Sequence, residues 1–512
     1  MRDRKNNNIV KSVGILTVLM IASKVISLVR EMAIAVFFGV TSGTDAYFVA
    51  GGFITNIFFG ITAALAATFV PFYIETKVIK GEKETYRICS SLFTALSVFA
   101  VIIIIVLYIG APFISKFIAP SYTGEALYEV VLYMRIYSLT ILFSLLTSML
   151  TSILNAESVY GYGALASLIY SITSIVCMVL LKKYIGVTAL AISVPLSFFF
   201  QLTILLIKTR KFIHYRPTIH IFTPELKSLL LLMLPVLLGN ATIELNQLIT
   251  RTITSGTGTG AVSVLSYSNT LFNFVSTLIS TTIITVYYTE FSSAAAEDEK
   301  KYNSLVSYAL RIIIVVLLPI SVISSIFSKD IVTIAFGRGQ FDQDAIRATA
   351  TCLSVYSIAF VFDSIRNLLI RAYYAKKQTK IPMINSCISL VITASTANVL
   401  SKRLGVTGVV ISIVISIIIA SIILLIIARK RLCVISLREM MPTFIKAVLS
   451  ATIMAIGLWT MNIAMTGMLS YLRITLATIA GLAVYIILLL LMRCSEVLDI
   501  LSLLKKEIKS QN

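Results

Sequence analysis

The sequence predicts an all-α polytopic membrane protein with about fourteen transmembrane helices. Hydrophobic residues make up 58% of the 512-residue chain and charged residues only 13%, whereas soluble proteins carry about 25% charged residues. Apolar runs of about 18 or more residues recur along the whole chain, and each is long enough to cross the hydrocarbon core of a bilayer. Basic residues collect in alternate loops, which is typical of a chain that crosses a membrane repeatedly.

The predicted spans follow one another with short polar connections. In chain order they lie near residues 12–38, 46–74, 88–112, 128–154, 160–181, 186–207, 228–250, 261–289, 303–327, 346–373, 381–400, 406–428, 441–463 and 471–492. The first span is too long for a cleaved signal peptide and has no small-residue cleavage site, so we expect it to be retained.

An internal repeat predicts how these spans are grouped. The seventh and eighth spans repeat the pattern of the first and second: a polar-striped helix, a short Gly/Thr/Ser turn and a long helix. We therefore expect two pseudo-symmetric lobes of about six helices each, over residues 1–222 and 223–432, followed by two more transmembrane helices and a cytoplasmic tail over 433–512. The last two helices either only add to the lipid-facing part of the protein or form an apolar surface suited to a lipid tail.

The net charge of +20 fixes orientation and does not indicate a nucleic-acid partner. Arg2, Arg4 and Lys5 precede the first span, and Lys505 and Lys506 follow the last, so both termini should be cytoplasmic. The six cysteines lack metal-ligand spacing, and the chain contains no phosphate loop, nucleophile elbow or HExxH motif. We therefore expect no enzyme activity, no cofactor and no bound metal.

The first hairpin carries charges within apolar sequence. Lys24, Arg30 and Glu31 lie in the first span and Asp45 begins the second. Such charges cost about 2.5–3.5 kcal/mol each on insertion scales, so they usually mark a substrate or ion path. The polar residues of the first span fall within an arc of about 140°, which predicts one wet face. Because lysine and arginine bind phosphates well, the substrate should be anionic.

The second span continues this polar face. Asp45, Gly52, Asn56 and Gly60 fall within about 80° of helix circumference. Asp45 follows a turn, so it either caps the helix or contacts substrate. Asn56 is a candidate substrate contact, whereas the glycines permit close helix approach.

The seventh span places Asn240, Glu244, Gln247 and Arg251 on one face, at i, i+4, i+7 and i+11. Glu244 lies inside the apolar run and needs a partner, which is Arg251, another basic residue or a cation. We therefore regard Glu244 and Asn240 as candidates for cation coupling and Arg251 as a candidate substrate contact.

The tenth span carries Asp363 and Arg366, followed by Arg371. The first two residues form either an internal ion pair or part of a polar pathway. Arg371 is a further candidate for substrate binding.

Several segments resemble the MurJ/MviN family of lipid II flippases, a branch of the multidrug/oligosaccharidyl-lipid/polysaccharide exporter superfamily. They are ASKVISLVREMAIAVFFGVTSGTDAYFVA (residues 22–50), FVPFYIE (69–75), AFGRGQFD (335–342) and LLIRAYYAKKQTKIP (368–382). The resemblance runs nearly end to end.

The resemblance implies a flippase that carries undecaprenyl-pyrophosphate-linked peptidoglycan precursor from the inner to the outer leaflet of the bacterial plasma membrane. It identifies Lys24, Arg30 and Asp45 with cavity-lining positions of the family, and the last two helices with its groove for the lipid tail. Its implied partners are a lipid-linked glycan, membrane lipid and cell-wall synthesis enzymes. We expect transport by alternating access.

The chain departs from the family where charges are usual in the second and eighth helices. Ile57, Phe58 and Thr62 occupy the former positions, and Asn269 and Thr270 the latter. Either Arg251 or Arg371 compensates, or the cargo is another lipid-linked oligosaccharide, such as a capsule, exopolysaccharide or spore glycan.

Overall fold

The computed structural model describes residues 2–212, 224–432, 437–465 and 467–499. The helices run, in order, over Arg2–Phe38 (α1), Ser42–Ile118 (α2), Gly124–Ser138 (α3), Thr140–Ala156 (α4), Tyr162–Ile185 (α5), Thr188–Thr209 (α6), Pro224–Ser255 (α7), Ala261–Glu297 (α8), Glu299–Ile326 (α9), Ser328–Phe336 (α10), Gln343–Ala375 (α11), Lys380–Arg431 (α12), Leu437–Ala464 (α13) and Ser470–Leu491 (α14). The predicted all-α class is confirmed.

Two helices, α2 and α12, each cover two predicted spans. The 77 residues of α2 would extend about 115 Å as a straight helix, whereas the hydrocarbon core is about 30 Å thick. Gly81, with φ 77° and ψ 171°, breaks α2 between the predicted second and third spans. Gly405, with φ 57° and ψ −138°, breaks α12 between the predicted eleventh and twelfth spans. Only glycine adopts such backbone angles without steric cost.

Nine helices within the described residues are long and apolar enough to cross a membrane. A tenth crossing is formed if Pro224–Leu237 and Ala241–Ser255, bent by 55°, count as one span. These crossings establish a multi-pass membrane protein, and the count of fourteen stays a prediction.

The chain divides into two compact units, Met1–Ser263 and Val264–Asn512. In the first unit α2 packs against α3, α4 and α7, and α5 packs along α1. Phe69, Tyr73 and Leu150 belong to the buried core of this unit. The lobe boundaries predicted at 222–223 and 432–433 coincide with gaps in the described residues, so that division stays a prediction.

The second unit is built around α9, α11 and α12, with Tyr302, Ile313 and Leu369 fully buried in its core. The last two helices pack against α9 through a second apolar cluster that includes Met454 and Tyr485. Their packing gives them one buried face within the second unit.

Two buried ion pairs fix the ends of α13 and α14 to this unit. Arg311 Nε on α9 lies 2.5 Å from the Glu496 carboxylate, whose side chain is 1% exposed. Thr443 on α13 donates to the same carboxylate, and Arg473 on α14 pairs with Asp330 on α10. Burial alone would raise the pKa of Glu496, but hydrogen bonds and Arg311 together hold it below its usual value.

Replacing Glu496 with leucine leaves Arg311 buried without its carboxylate. We expect the free energy of unfolding to fall by about 3–5 kcal/mol, and the double variant R311M/E496L to recover most of that loss, because removing both charges leaves neither unpaired. Denaturant unfolding of the purified protein in detergent measures this. The control is Asp344→Asn, whose exposed pair with Arg347 spans 3.8 Å. Wild-type stability of E496L would contradict the anchoring role.

Candidate functional site

Arg30 and Glu31 of α1 are paired with each other at the surface of α5. Arg30 Nη2 lies 2.5 Å from Glu31 Oε1, and these side chains are only 17% and 15% exposed. The Arg30 guanidinium carbon also lies 5.0 Å from the centroid of the Tyr170 ring on α5. Glu31 and the ring face therefore both stabilise a cation that is largely removed from water.

Two further tyrosines complete this surface. The rings of Tyr47 on α2 and Tyr137 on α3 lie 5.7 Å apart, their side chains share a hydrogen bond, and Tyr47 interacts electrostatically with Arg30. A β-carbon added at Gly51 would lie 2.6 Å from the Tyr137 ring. The absence of a side chain at Gly51 therefore lets the Tyr137 ring approach α2.

Arg251 reaches this group from α7. Its Nη1 donates to the Phe48 carbonyl over 2.7 Å, and a β-carbon at Gly52 would lie 1.3 Å from the same nitrogen. The guanidinium thus occupies the space that a side chain at Gly52 would fill. Arg251 also interacts electrostatically with Tyr137 and Glu31, among other groups.

We name these six residues the arginine cluster: Arg30, Glu31, Tyr47, Tyr137, Tyr170 and Arg251. The cluster lies wholly within the first unit and contains two guanidinium groups and one carboxylate, and Glu244 on α7 is a second carboxylate that interacts electrostatically with Arg251. Guanidinium groups bind phosphate through paired, charge-assisted hydrogen bonds, which gives this surface the chemistry of a phosphate site.

Three buried polar groups in the first unit have no hydrogen-bond partner among the described residues: Arg30 Nε, Asn56 Nδ2 and the Thr147 hydroxyl. Arg30 belongs to the arginine cluster, and Asn56 lies one helical turn beyond Gly52 on α2. A buried donor without a partner costs about 1–3 kcal/mol. An oxygen-rich ligand or ordered water would satisfy the Arg30 and Asn56 donors, and the contact of Asn56 with substrate stays a prediction.

Asp45 is fully buried, and its carboxylate accepts hydrogen bonds from Tyr122 OH over 3.4 Å and from the start of α8. It accepts from Gly260 N over 2.5 Å, from Ser263 N over 2.7 Å and from Ser263 Oγ over 2.6 Å. Thr41, not Asp45, caps α2, through a capping box with Thr44. Asp45 therefore has the geometry of a carboxylate that caps α8, and its predicted contact with substrate stays a prediction.

Lys24 lies apart from the arginine cluster. Its side chain lines a cavity of about 720 Å³ between α1, α2 and the α4–α5 loop, which we name the α4–α5 cavity. Six residues separate Lys24 from Arg30, which corresponds to about 9 Å along the helix. The structure therefore places the two predicted phosphate ligands of α1 in different surroundings.

The α4–α5 loop is held to α2 by Glu157. Its carboxylate accepts from Tyr73 OH over 2.6 Å and from Lys77 Nζ over 2.7 Å. Burial alone would raise the pKa of Glu157, but the hydrogen bonds from Lys77 and Tyr73 lower it below its usual value. The loop backbone is left-handed at Ser158, with φ 60°, and at Gly161, with φ 92°.

The other predicted site residues are dispersed. Glu244 is half-buried and interacts electrostatically with Arg251, whereas the side chain of Asn240 lies outside the described residues. Arg371 is exposed in the second unit, with its guanidinium carbon 5.6 Å from the Tyr288 ring centroid. The structure thus brings Arg251 together with Arg30 and does not add Arg371 to the described contacts of the cluster.

Asp363 and Arg366 find separate hydrogen-bond partners in the second unit. Asp363 accepts from Ser276 Oγ over 3.0 Å and from Asn367 Nδ2 over 3.1 Å. Arg366 Nε donates to Asn385 Oδ1 over 3.2 Å. Their charges still attract each other, but neutral side chains make the short contacts.

Sequence reasoning missed the three tyrosines of the arginine cluster. Tyr47, Tyr137 and Tyr170 are ordinary residues for transmembrane helices, so their identity alone gives no signal. The Gly51–Gly52 pair is the usable signal, because adjacent glycines on a polar helix face indicate that bulky groups approach there.

Comparison with known proteins identifies the family. A family model described as "Lipid II flippase MurJ" matches residues 34–480. A protein of Burkholderia cenocepacia named "Lipid II flippase MurJ" is 26% identical over 403 residues, which is 76% of this chain and 78% of that protein. A protein of Rickettsia prowazekii named "Probable lipid II flippase MurJ" is 27% identical over 388 residues, covering 74% of this chain and 76% of that protein.

A solved structure has the same fold. It is titled "Lipid II flippase MurJ, inward closed conformation", and it matches with a TM-score of 0.82 and 22% sequence identity over 93% of this chain and 98% of that chain. At this identity the similarity establishes the fold alone.

Replacing Gly52 with alanine should displace the Arg251 guanidinium without removing its charge. Because the obstructing atom is the end of a flexible side chain, we expect the helices to stay folded while the binding of inorganic pyrophosphate weakens several-fold. Titration calorimetry measures this. The matched control is Gly110→Ala on the same helix, where the added carbon meets only Ile114 at 3.5 Å. Equal binding by the two variants would contradict the placement of Arg251.

Replacing Glu157 with glutamine should destabilise the protein in a pH-dependent way. Because the folded pKa of Glu157 lies below its usual 4.5, its contribution is fully present above that value and is lost as the pH falls through the folded pKa. The difference in melting temperature between wild type and E157Q should therefore be constant at neutral pH and vanish in strong acid. Glu84→Gln, at a side chain 45% exposed that pairs with Arg87, is the control, and a difference that grows in acid would contradict the assignment.

Proposed function

The chain belongs to the MurJ family of lipid II flippases, and on that premise we propose that it moves undecaprenyl-pyrophosphate-linked peptidoglycan precursor across the bacterial plasma membrane. The protein acts as a translocator and performs no covalent chemistry. Family membership favours this cargo over another lipid-linked oligosaccharide. Both termini lie in the cytoplasm in this proposal, and cell-wall synthesis enzymes are its expected partners.

The assignment of residues rests on two arginines from different helices that share one buried aromatic surface, where both interact with Glu31. Arg30 retains an unsatisfied Nε donor, and Arg251 lies beside the Gly52 backbone. A pyrophosphate supplies several acceptor oxygens and enough negative charge to satisfy both guanidinium groups. In water-poor surroundings these charge-assisted contacts are strong.

The position of Arg251 supports compensation for the missing charges of the second helix. The chain has Ile57, Phe58 and Thr62 where the family usually carries charge. Arg251 comes from α7 yet hydrogen-bonds to the backbone of α2 through the Phe48 carbonyl. The Arg251 cation therefore lies against α2, whose own residues 44–56 include no lysine or arginine.

Transport then follows alternating access. The headgroup enters from the cytoplasmic side, its phosphates bind Arg30 and Arg251, and the polyprenyl tail remains in lipid. Rocking of the two lobes exposes the site to the other side. Glu244, which interacts with Arg251, and Asn240 are our candidates for coupling this movement to a cation gradient, since the sequence contains no ATPase motif.

Replacing Arg30 or Arg251 with alanine should reduce lipid II translocation about tenfold or more, because each change removes a charge-assisted hydrogen bond to phosphate. Arg30→Lys and Arg251→Lys should recover part of the activity. The assay follows lipid II in proteoliposomes and the rescue of bacteria depleted of their own lipid II flippase.

The control for this experiment is Arg347→Ala, since the Arg347 side chain is 69% exposed and pairs only with exposed Asp344. Wild-type translocation by well-folded R30A and R251A would contradict the phosphate assignment. Absence of lipid II translocation by the folded wild-type protein would contradict the cargo.

A further inference from the structure

The α4–α5 cavity is a preformed chamber inside the first unit. Its volume of about 720 Å³ is that of a site for a small organic ligand, about 300–1,000 Å³. Apolar side chains such as Met20 and Ile74 form part of the wall, and Lys24, Asn155, Ser158 and Tyr160 supply polar groups. None of the described residues that line it is acidic.

Lys24 is the only cation among these lining residues. Its side chain is exposed, and among the described residues no carboxylate lies within ion-pair distance of its ammonium group. By contrast, Arg30 is paired with Glu31 and covered by Tyr170. A single accessible ammonium suits one carboxylate, whereas a pyrophosphate carries more charge and is better matched by the two guanidinium groups of the arginine cluster.

The opposite wall is held in place before any ligand arrives. Glu157 fixes the start of the α4–α5 loop to Tyr73 and Lys77 on α2. Ser158 adopts a left-handed backbone, with φ 60°, and ends α4 in a Schellman motif, in which Val159 N donates to the Leu154 carbonyl over 2.8 Å and Ser158 N to the Asn155 carbonyl over 3.1 Å. A loop fixed by these contacts loses little entropy when it binds a ligand.

The polar groups of this wall match a sugar better than a lipid chain. The Asn155 amide both donates and accepts, as does the Ser158 hydroxyl, so the two can bind hydroxyl and acetamido groups. Tyr160 is 61% exposed and offers a ring face to the apolar side of a sugar. An acyl or polyprenyl chain could use none of these hydrogen-bonding groups.

We propose that the α4–α5 cavity binds the saccharide–peptide end of the lipid-linked headgroup, with an acetamido sugar against Asn155 and Tyr160 and a carboxylate on Lys24. This inference rests on the proposed function and deepens it, because it assigns recognition of the glycan to a site separate from the arginine cluster. In this arrangement the phosphates and the glycan bind the same unit at positions about 9 Å apart along α1.

The test compares two probes with the full-length protein in nanodiscs: lipid II, and undecaprenyl pyrophosphate without saccharide. Tyr160→Ala, Asn155→Leu and Lys24→Gln should each weaken lipid II binding about three- to tenfold, the loss expected for one or two hydrogen bonds. The same variants should change the binding of undecaprenyl pyrophosphate by less than about twofold. Arg30→Ala should weaken the binding of both probes.

The matched control is Tyr128→Ala, since Tyr128 is 65% exposed in the same unit and does not line the cavity. Equal weakening of both probes by the cavity variants would overturn the proposal, because the cavity would then hold phosphate. Unchanged binding of both probes would overturn it as well. Failure of the wild-type protein to bind lipid II, with undecaprenyl pyrophosphate still bound, would instead contradict the proposed cargo.

Discussion

A guanidinium group cannot be buried in a membrane protein without partners, and this constraint organises the first unit. Arg30 is stabilised by Glu31 and by the ring of Tyr170. Arg251 donates to the Phe48 carbonyl and interacts electrostatically with Tyr137, Glu244 and Glu31. Because Arg30 Nε has no acceptor among the described residues, the surface keeps a donor for an anion. The helices around Arg30 and Arg251 lie where their side chains and carbonyl groups can supply these partners.

Asp45 is a buried anion, and it lies beside the N-terminal end of a helix. Its carboxylate accepts from the backbone of Gly260 and Ser263 at the first turn of α8, where unpaired amide groups and the helix dipole favour negative charge. The same residue lies in the first turn of α2. One side chain therefore joins the beginnings of two helices that lie far apart in sequence, and it fixes the end of the first unit remote from the α4–α5 loop.

The sequence alone predicts the features of the fold that depend on periodicity and composition. The helical class, the breaks near Gly81 and Gly405 and the polar face of α1 follow from local pattern. The contacts of Arg251 with α2 do not, because about 200 residues separate them and helix register decides which group faces Gly52. Tertiary contacts also separate Lys24 from Arg30. The sequence places both residues on one polar face of α1 and so predicts one common environment, whereas the neighbouring helices place Arg30 in the arginine cluster and Lys24 in the α4–α5 cavity. Asp45 was predicted either to cap its own helix or to contact substrate; the first alternative is wrong because Thr41 caps α2, and the contact of Asp45 with α8 is visible only in the tertiary structure.

The space above Gly52 also constrains how this protein can have diverged from its relatives. Since the Arg251 guanidinium occupies the volume of a side chain at Gly52, a large residue on that face of α2 and an arginine at Arg251 exclude each other. A side chain at Gly52 would have to be accompanied by a displaced or shorter side chain at Arg251. The residue tolerated at one of these two positions therefore depends on the residue at the other.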